Sequence, residues 1–261
     1  MIAFESISRR VLIELNRGKR IVRQCLEIVK SEFYFIGRGK SLHVDYFCSQ
    51  QNELPLPVTI IDIGGSRGQF ILESIRCFPQ AEIFSFEPIP HCFAELVTLS
   101  QQYTKIHPSN FALSDESGLA EFNLSSFDDS SSFQKMRDEH CEAWPHSAIN
   151  KLIMVEKRRL DDLIQIEDLL GPVFVKIDVQ GHELQVIRGG RKTISSSQRV
   201  MIEWNIADLY EGQPKFDEIY DEMKSMGFCL DEMISPLRHP KTGELMSVDL
   251  IFYKPVDSNR N

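Results

Sequence analysis

VTIIDIGGSRGQFILESIRCFP, residues 58–79, decides the fold. From Val58 to Ile63 every residue except Asp62 is β-branched, the composition a core strand favours. Gly64, Gly65 and Gly68 then mark a turn, and Phe70, Ile71, Ile75 and Phe78 recur at near-helical spacing until Pro79 stops the helix. Strand, glycine turn and helix in that order open an α/β unit whose turn approaches a ligand.

The same alternation continues outward. AEIFSFE (81–87) predicts a second strand, and Pro90 opens a helix with Phe93, Leu96 and Val97 on one face. KIHPSNFAL (105–113) reads as a third strand with Pro108 at an end or a bulge. LAEFNL (119–124) and LIMVEK (152–157) read as short strands flanking an irregular serine-rich loop, LSSFDDSSSF (124–133). GPVFVKIDV (171–179) and QRVMIEWN (198–205) are strong strands. FDEIYDEMKSMG (216–227) carries an apolar helical stripe with Gly227 at its C-terminal cap. FCLDEM (228–233) and SVDLIFYK (247–254) close the chain as a hairpin-like pair. Strands alternating with helices predict a doubly wound, Rossmann-like α/β sheet, mostly parallel, with an antiparallel final strand. That ending is the architecture of class I S-adenosylmethionine (SAM) methyltransferases.

The 261 residues form one large domain or a domain with an appended segment. The reading divides them into a basic, mainly helical extension (1–55), the α/β domain (56–256) and a flexible tail (257–261). Residues 1–40 hold nine Lys/Arg against four Asp/Glu, leaving 20 against 34 in the remainder. Within them Val11, Leu15, Val22, Cys25, Leu26 and Val29 follow a helical spacing interrupted by Gly18. Such a segment either packs on the main domain or docks peripherally on a membrane or an anionic lipid-linked substrate. A net charge of −9 argues against nucleic acid as a partner. No apolar run approaches the roughly 20 residues of a spanning helix, and no signal-peptide core opens the chain. The six cysteines form no CxxC pair, which suits reduced thiols in the cytoplasm. Nothing in the sequence sets the oligomeric state.

In open α/β sheets ligands lie beyond the carboxyl ends of the strands. A dinucleotide fingerprint starting at Gly64 needs glycines at 66 and 69, where Ser66 and Gln69 stand, so NAD is disfavoured. Asp62, Gly64, Gly65 and Gly68 instead suit a ligand without a pyrophosphate, with Asp62 near a cationic amino-acid end. Glu87 and Pro88 end the second strand, where a carboxylate accepts hydrogen bonds from ribose hydroxyls. Asn110 and Ala112 follow the third strand, on the adenine side. These signals describe a nucleoside site and favour SAM.

The set IIDIGGSRGQF, FSFEPIPHCFAEL, NFALSDESG, SSF, RRLDDL, FVKIDVQGHELQVIRGG and MIEWN resembles, in order and spacing, the FkbM family of methyltransferases. The resemblance covers about residues 57–254, and its most specific piece is Lys176-Ile177-Asp178-Val179 followed by Gly181, Glu183 and the Arg188-Gly189-Gly190 turn. It departs mildly at Gly65-Ser66, where the family commonly has an Ala-Asn or similar pair, and at Gln180, where an acidic residue is frequent. The resemblance implies a SAM-dependent enzyme, most often one that O-methylates sugar hydroxyls or natural-product alcohols. A lipid-linked sugar acceptor would give the basic N-terminal segment a purpose.

An alcohol must lose its proton as it is methylated, so a base or a metal-bound alkoxide is useful. Asp178, His182, Glu183 and Glu203 are the candidate catalytic residues, all near the ends of the fourth and fifth parallel strands. Asp178 or His182 would take the proton with Glu183 orienting; alternatively Asp178, Glu203 and Asn205 would bind Mg²⁺. Structural roles stand beside these. His182 would be a hydrogen-bonded core histidine, Glu183 a complement to the helix dipole, and Glu203 a solvated strand end. Lys176 reads as the ion-pair partner of Asp178, Asp161 and Asp162 as turn and helix-start residues, and Ser130–Ser132 as loop or acceptor-pocket lining. The rival from another class is a non-catalytic nucleoside-binding or assembly protein on the same fold.

Overall fold

The structure is a computed structural model that describes residues 56–255; the basic extension and the tail expected from the sequence lie outside the described residues. β1 (Thr59–Ile63) leads into α1 (Gln69–Cys77), β2 (Glu82–Phe86), α2 (Pro90–Gln102) and β3 (Ile106–Ser109). β4 (Ala112–Leu113), β5 (Gly118–Ser125), α3 (Asp138–Ala143) and β6 (Ile149–Arg158) follow. α4 (Leu160–Leu163), β7 (Val173–Ile177), α5 (Glu183–Gly189), α6 (Arg191–Ser196) and β8 (Arg199–Asn205) come next, then α7 (Phe216–Ser225), β9 (Cys229–Arg238) and β10 (Leu245–Tyr253).

The main sheet has the order β3-β2-β1-β7-β8-β10-β9. Pairs from β3 to β8 are parallel, and β10 runs antiparallel to both β8 and β9. The expected sheet with an antiparallel final strand is therefore present. The switch in strand order falls between β1 and β7, where a doubly wound sheet places its ligand crevice. Every residue of β1 and β7 is buried, as befits strands covered on both faces. Ile61, Ile63, Val175 and Ile177 point into one core with Val186, Ile187, Ile219 and Met223 of α5 and α7. Alternation turns Asp62, Phe174 and Lys176 to the opposite face, where the Phe174 ring stacks on Phe70 of α1.

Two local readings change. KIHPSNFAL is two strands: β3 stays on the main sheet, while β4 joins β5 and β6 in a separate sheet of order β4-β6-β5. Pro108 lies inside β3, tolerated because β3 is the edge strand and its missing N–H faces no neighbour. The serine-rich segment includes a short 3₁₀ turn at Asp128–Ser130. A Tyr-x-x-x-Lys pair, whose absence would argue against an NAD-dependent sugar-modifying enzyme, is present in Tyr220 and Lys224, so only the glycine spacing argues that way. Here both lie on α7, with the exposed Lys224 ammonium packed 5.7 Å above the Tyr220 ring. Among the described residues no helix is long and apolar enough to cross a membrane.

Candidate active site

Two backbone turns meet at the carboxyl edge of β1 and β7. In the first, Gly64, Ser66 and Gly68 take φ of 80°, 43° and 83°. A Cβ on Gly64 would lie 1.9 Å from the Asp178 carbonyl oxygen of the second turn. Gly64→Ala is thus expected to cost more than the ~1–2 kcal/mol of a left-handed alanine alone, seen as a lowered urea midpoint with an unchanged slope. An unchanged midpoint would contradict the closeness of the two turns.

A buried cation joins them. The parallel register sets Asp62 beside Lys176 on one side and Ser85 on the other. Lys176 Nζ donates to the Gly64 carbonyl at 2.8 Å and lies 3.6 Å from Asp62 and 3.3 Å from Asp178. Burial works against its charge, but Asp178 and Asp62 outweigh that and hold its pKa above the ordinary lysine value. Asp62, wholly buried, accepts a 3.0 Å hydrogen bond from Ser85. Burial raises its pKa despite Lys176. The sequence placed Asp62 beside a ligand's amino group; the structure puts its carboxylate beneath the glycine turn, against Lys176.

Asp178, Gln180 and Glu203 form one cluster. The Gln180 amide nitrogen donates to Asp178 at 2.8 Å and to Glu203 at 2.5 Å. Burial opposes ionisation of Asp178, yet Lys176 and hydrogen bonds from Glu203 and Gln180 hold its carboxyl below the usual range. Glu203 is pushed well above that range by burial and by the charges of Asp178 and Asp249. The pair therefore keeps its proton on Glu203 and its charge on Asp178. The Asp178 side chain is 34% exposed, with Oδ1 on the Gln180 amide and Oδ2 toward Lys176.

The other two candidates point elsewhere. Gln180 (φ 57°) and Gly181 (φ 94°) are left-handed, and this kink sets the direction of the residues that follow. The His182 ring lies 3.0 Å from the Ser114 hydroxyl and packs on Phe133, and burial lowers its pKa to about 4. Glu183 accepts the Gly181 and Val179 N–H groups at 3.0 and 3.3 Å. Its pKa is raised to about 7 by burial, against those bonds. It fastens the turn that presents Asp178.

On the β2 side, Glu87 is 4% exposed and each carboxylate oxygen accepts one backbone N–H, from Ser66 at 2.8 Å and Ile89 at 2.7 Å. Burial, opposed by those bonds, raises its pKa to about 7. Asn110 donates to the carbonyls of Glu87 and Pro88 at 2.8 and 3.1 Å, which sets the backbone there, and Ala112 is buried in β4. The serine-rich segment touches both turns. Asp129 accepts from the Ser66 hydroxyl at 2.5 Å, Asp128 pairs with Arg67 at 2.5 Å, and Ser132 donates to the Gln180 carbonyl at 2.6 Å.

Sequence reasoning gave no site role to Gln180, Tyr210 or His140. Gly181 just after a strand hints at a turn, but not that Gln180 itself is left-handed. Nothing local points to Tyr210 or His140.

The family model "Methyltransferase FkbM domain" matches residues 62–230. The chain is 31% identical to 2-O-methyltransferase NoeI of Sinorhizobium fredii over 179 residues, 66% of this chain and 73% of that one. It is 28% identical to hexuronic acid methyltransferase AglP of Haloferax volcanii over 143 residues, 54% of each chain. The crystal structure of methyltransferase FkbM from Methylobacillus flagellatus superposes with a TM-score of 0.51 at 17% identity. That match covers 80% of this chain, which spans only 46% of the larger protein, and it speaks to the fold.

Proposed function

This chain belongs to the FkbM methyltransferase family, and from that premise we propose that it carries a methyl group from SAM to a hydroxyl of a saccharide or glycoconjugate. The observation that carries the reading is Asp178: an ionised, partly exposed carboxylate at the end of β7, beside the glycine turn that leads toward Glu87. The saccharide class is supported by NoeI, named a 2-O-methyltransferase, and AglP, named a hexuronic acid methyltransferase. Residues 56–256 are the catalytic unit in this reading.

The residues at the β1–β2 edge suit the donor. Glu87 spends one acceptor site per oxygen on backbone N–H groups, which leaves lone pairs for the two hydroxyls of a ribose. The Gly64–Gly68 turn would lie along the donor, with Pro88, Asn110 and Ala112 toward its base. When bound, SAM supplies an already activated methyl group. The chain's own work is to align the acceptor oxygen, exclude water and take the hydroxyl proton. Asp178 takes that proton. Lys176 and Gln180 keep Asp178 charged, and Glu203 holds the neighbouring carboxyl neutral, so one base faces the acceptor. His182 and Glu183 act on the turn rather than on the substrate.

Mg²⁺ bound between Asp178 and Glu203 fits this arrangement poorly. The Gln180 amide protons point at both carboxyls, and the Lys176 ammonium already provides a positive charge 3.3 Å from Asp178.

Calorimetry with SAM, S-adenosylhomocysteine and NAD tests the reading, followed by turnover on sugar acceptors. Micromolar binding of the sulfur ligands and none of NAD is expected; no binding of either sulfur ligand by the folded chain would overturn it. The Glu87 pKa of about 7 adds a pH signature. Ribose hydroxyls donate to the charged carboxylate, so binding releases a proton and SAM affinity rises with pH through about 7 before levelling off. Glu87→Gln is expected to bind SAM severalfold more weakly and to lose that dependence. Equal slopes in the two proteins would remove Glu87 from the donor site.

A further inference from the structure

Behind the Asp178–Glu203 pair lies a polar chain that the chemistry above does not use. We propose that Tyr210 is a positioning residue, which fixes the direction of the Gln180 amide and so keeps its two protons on Asp178 and Glu203. The proposal rests on the reading of Asp178 as the base.

Tyr210 is wholly buried, and its hydroxyl lies 2.9 Å from Gln180 Oε1, 3.2 Å from the Ser130 carbonyl and 3.2 Å from His140 Nε2. His140 is 4% exposed, with Nδ1 3.0 Å from the Ser147 hydroxyl. Counting protons assigns the directions. The amide and peptide oxygens only accept, and the single hydroxyl proton of Tyr210 goes to the nearest acceptor, Gln180 Oε1 at 2.9 Å. The Ser147 hydroxyl donates its own proton to the Trp144 carbonyl at 2.6 Å, so toward His140 it accepts, from Nδ1–H. His140 Nε2 is then a second, more distant acceptor beside Tyr210, and burial, which lowers the His140 pKa, favours this neutral ring. Donation toward the site therefore starts at Tyr210, passes to Gln180 and ends on the two carboxyls.

An amide's two ends are nearly the same size, so shape alone does not set the Gln180 side chain. The Tyr210 proton does, because a reversed amide would leave that proton only its longer contacts and would turn a carbonyl oxygen toward the charge of Asp178. Asp178 would lose a donor and hold its own proton more tightly. The Tyr210 backbone is held separately, by Gln213 Oε1 at 2.9 Å and by the bridge to Met136, so removal of the hydroxyl leaves the loop anchored.

The test is a carboxyl ¹³C NMR titration of the full chain labelled at aspartate, with the Asp178 signal assigned by its loss in Asp178→Asn. Asp62, Lys176, Glu183, Glu203 and Asp249, which face the pair from β1, β7, α5, β8 and β10, are left unchanged. Tyr210→Phe is expected to move the Asp178 midpoint upward. The acid limb of the turnover profile follows. Superimposable Asp178 curves for wild type and folded Tyr210→Phe overturn the proposal. If that variant does not fold, an Asp178 midpoint unchanged in Gln180→Met does so, because the amide that Tyr210 orients would then have no hold on Asp178. The titration needs neither donor nor acceptor, whereas failure of the methyltransferase reading would appear as absent SAM binding in the wild-type chain.

Discussion

Asp178→Asn is expected to slow methyl transfer about 10²- to 10⁴-fold, the range for loss of a general base, while SAM affinity stays within about threefold. Asparagine keeps the size of the side chain and an acceptor oxygen for Gln180, while its N–H₂ replaces the oxygen that faces Lys176. The donor contacts assigned to Glu87 and the glycine turn lie on the β1–β2 side and are untouched. Wild-type turnover in this variant would end the role of Asp178 as base. Its pKa direction gives a second readout. Lys176, Glu203 and Gln180 together hold the Asp178 carboxyl below the ordinary aspartate range, against the effect of burial. A base works only when ionised, so the rate should fall as pH drops through a value on the acid side of that range. It should stay flat through neutrality, provided SAM is saturating. An acid limb near pH 7 at saturating SAM would point to Glu183 as the working base.

The parts of the site legible in the sequence are those fixed by local chain chemistry. A β-branched run closed by Asp62 and followed by glycines declares a strand and a turn with no knowledge of the rest. Period-2 alternation puts Asp62 and Lys176 each on a definite face of its own strand. It does not say that β1 and β7 are neighbours in register, which is what sets Lys176 between Asp62 and Asp178. KIHPSNFAL reads as one strand because nothing within it says that the chain leaves one sheet for another after Ser109. His182 and Glu183 looked catalytic because they follow Asp178 closely. Their directions depend on a left-handed turn at Gln180, a residue for which αL is uncommon and hard to foresee. Tyr210 and His140 meet across 70 positions of sequence, and no periodicity reaches that far. The serine-rich segment reads by composition as an irregular loop, yet Ser130, Ser131 and Ser132 are buried because the Gln180 turn, Tyr210 and nearby backbone satisfy their polar groups.

The largest structural effect is expected from Lys176→Met, which removes the cation shared by Asp62, Asp178 and the Gly64 carbonyl. Breaking a buried ion pair by deleting one partner costs about 3–5 kcal/mol, because the remaining charge has neither water nor a counter-ion. Methionine matches the length of the lysine stem, so lost packing contributes little. Asp62 bears most of the consequence: it is wholly buried, whereas Asp178 still reaches solvent and the Gln180 amide. The sign of the pH dependence follows. Burial already raises the Asp62 pKa in the folded chain above its unfolded value, and loss of Lys176 raises it further. Between those two values the folded chain binds more protons than the unfolded one, so this group's contribution to stability falls as pH rises. The deficit of Lys176→Met relative to wild type should therefore be larger toward the alkaline end of the range in which both proteins fold and shrink toward its acid end, as Asp62 takes up a proton and no longer needs a counter-charge. Urea unfolding of both proteins across that range measures it. A deficit that does not change with pH would mean that Lys176 contributes mainly by tying down the Gly64 carbonyl, and the ion pair would lose its place in the account of the site.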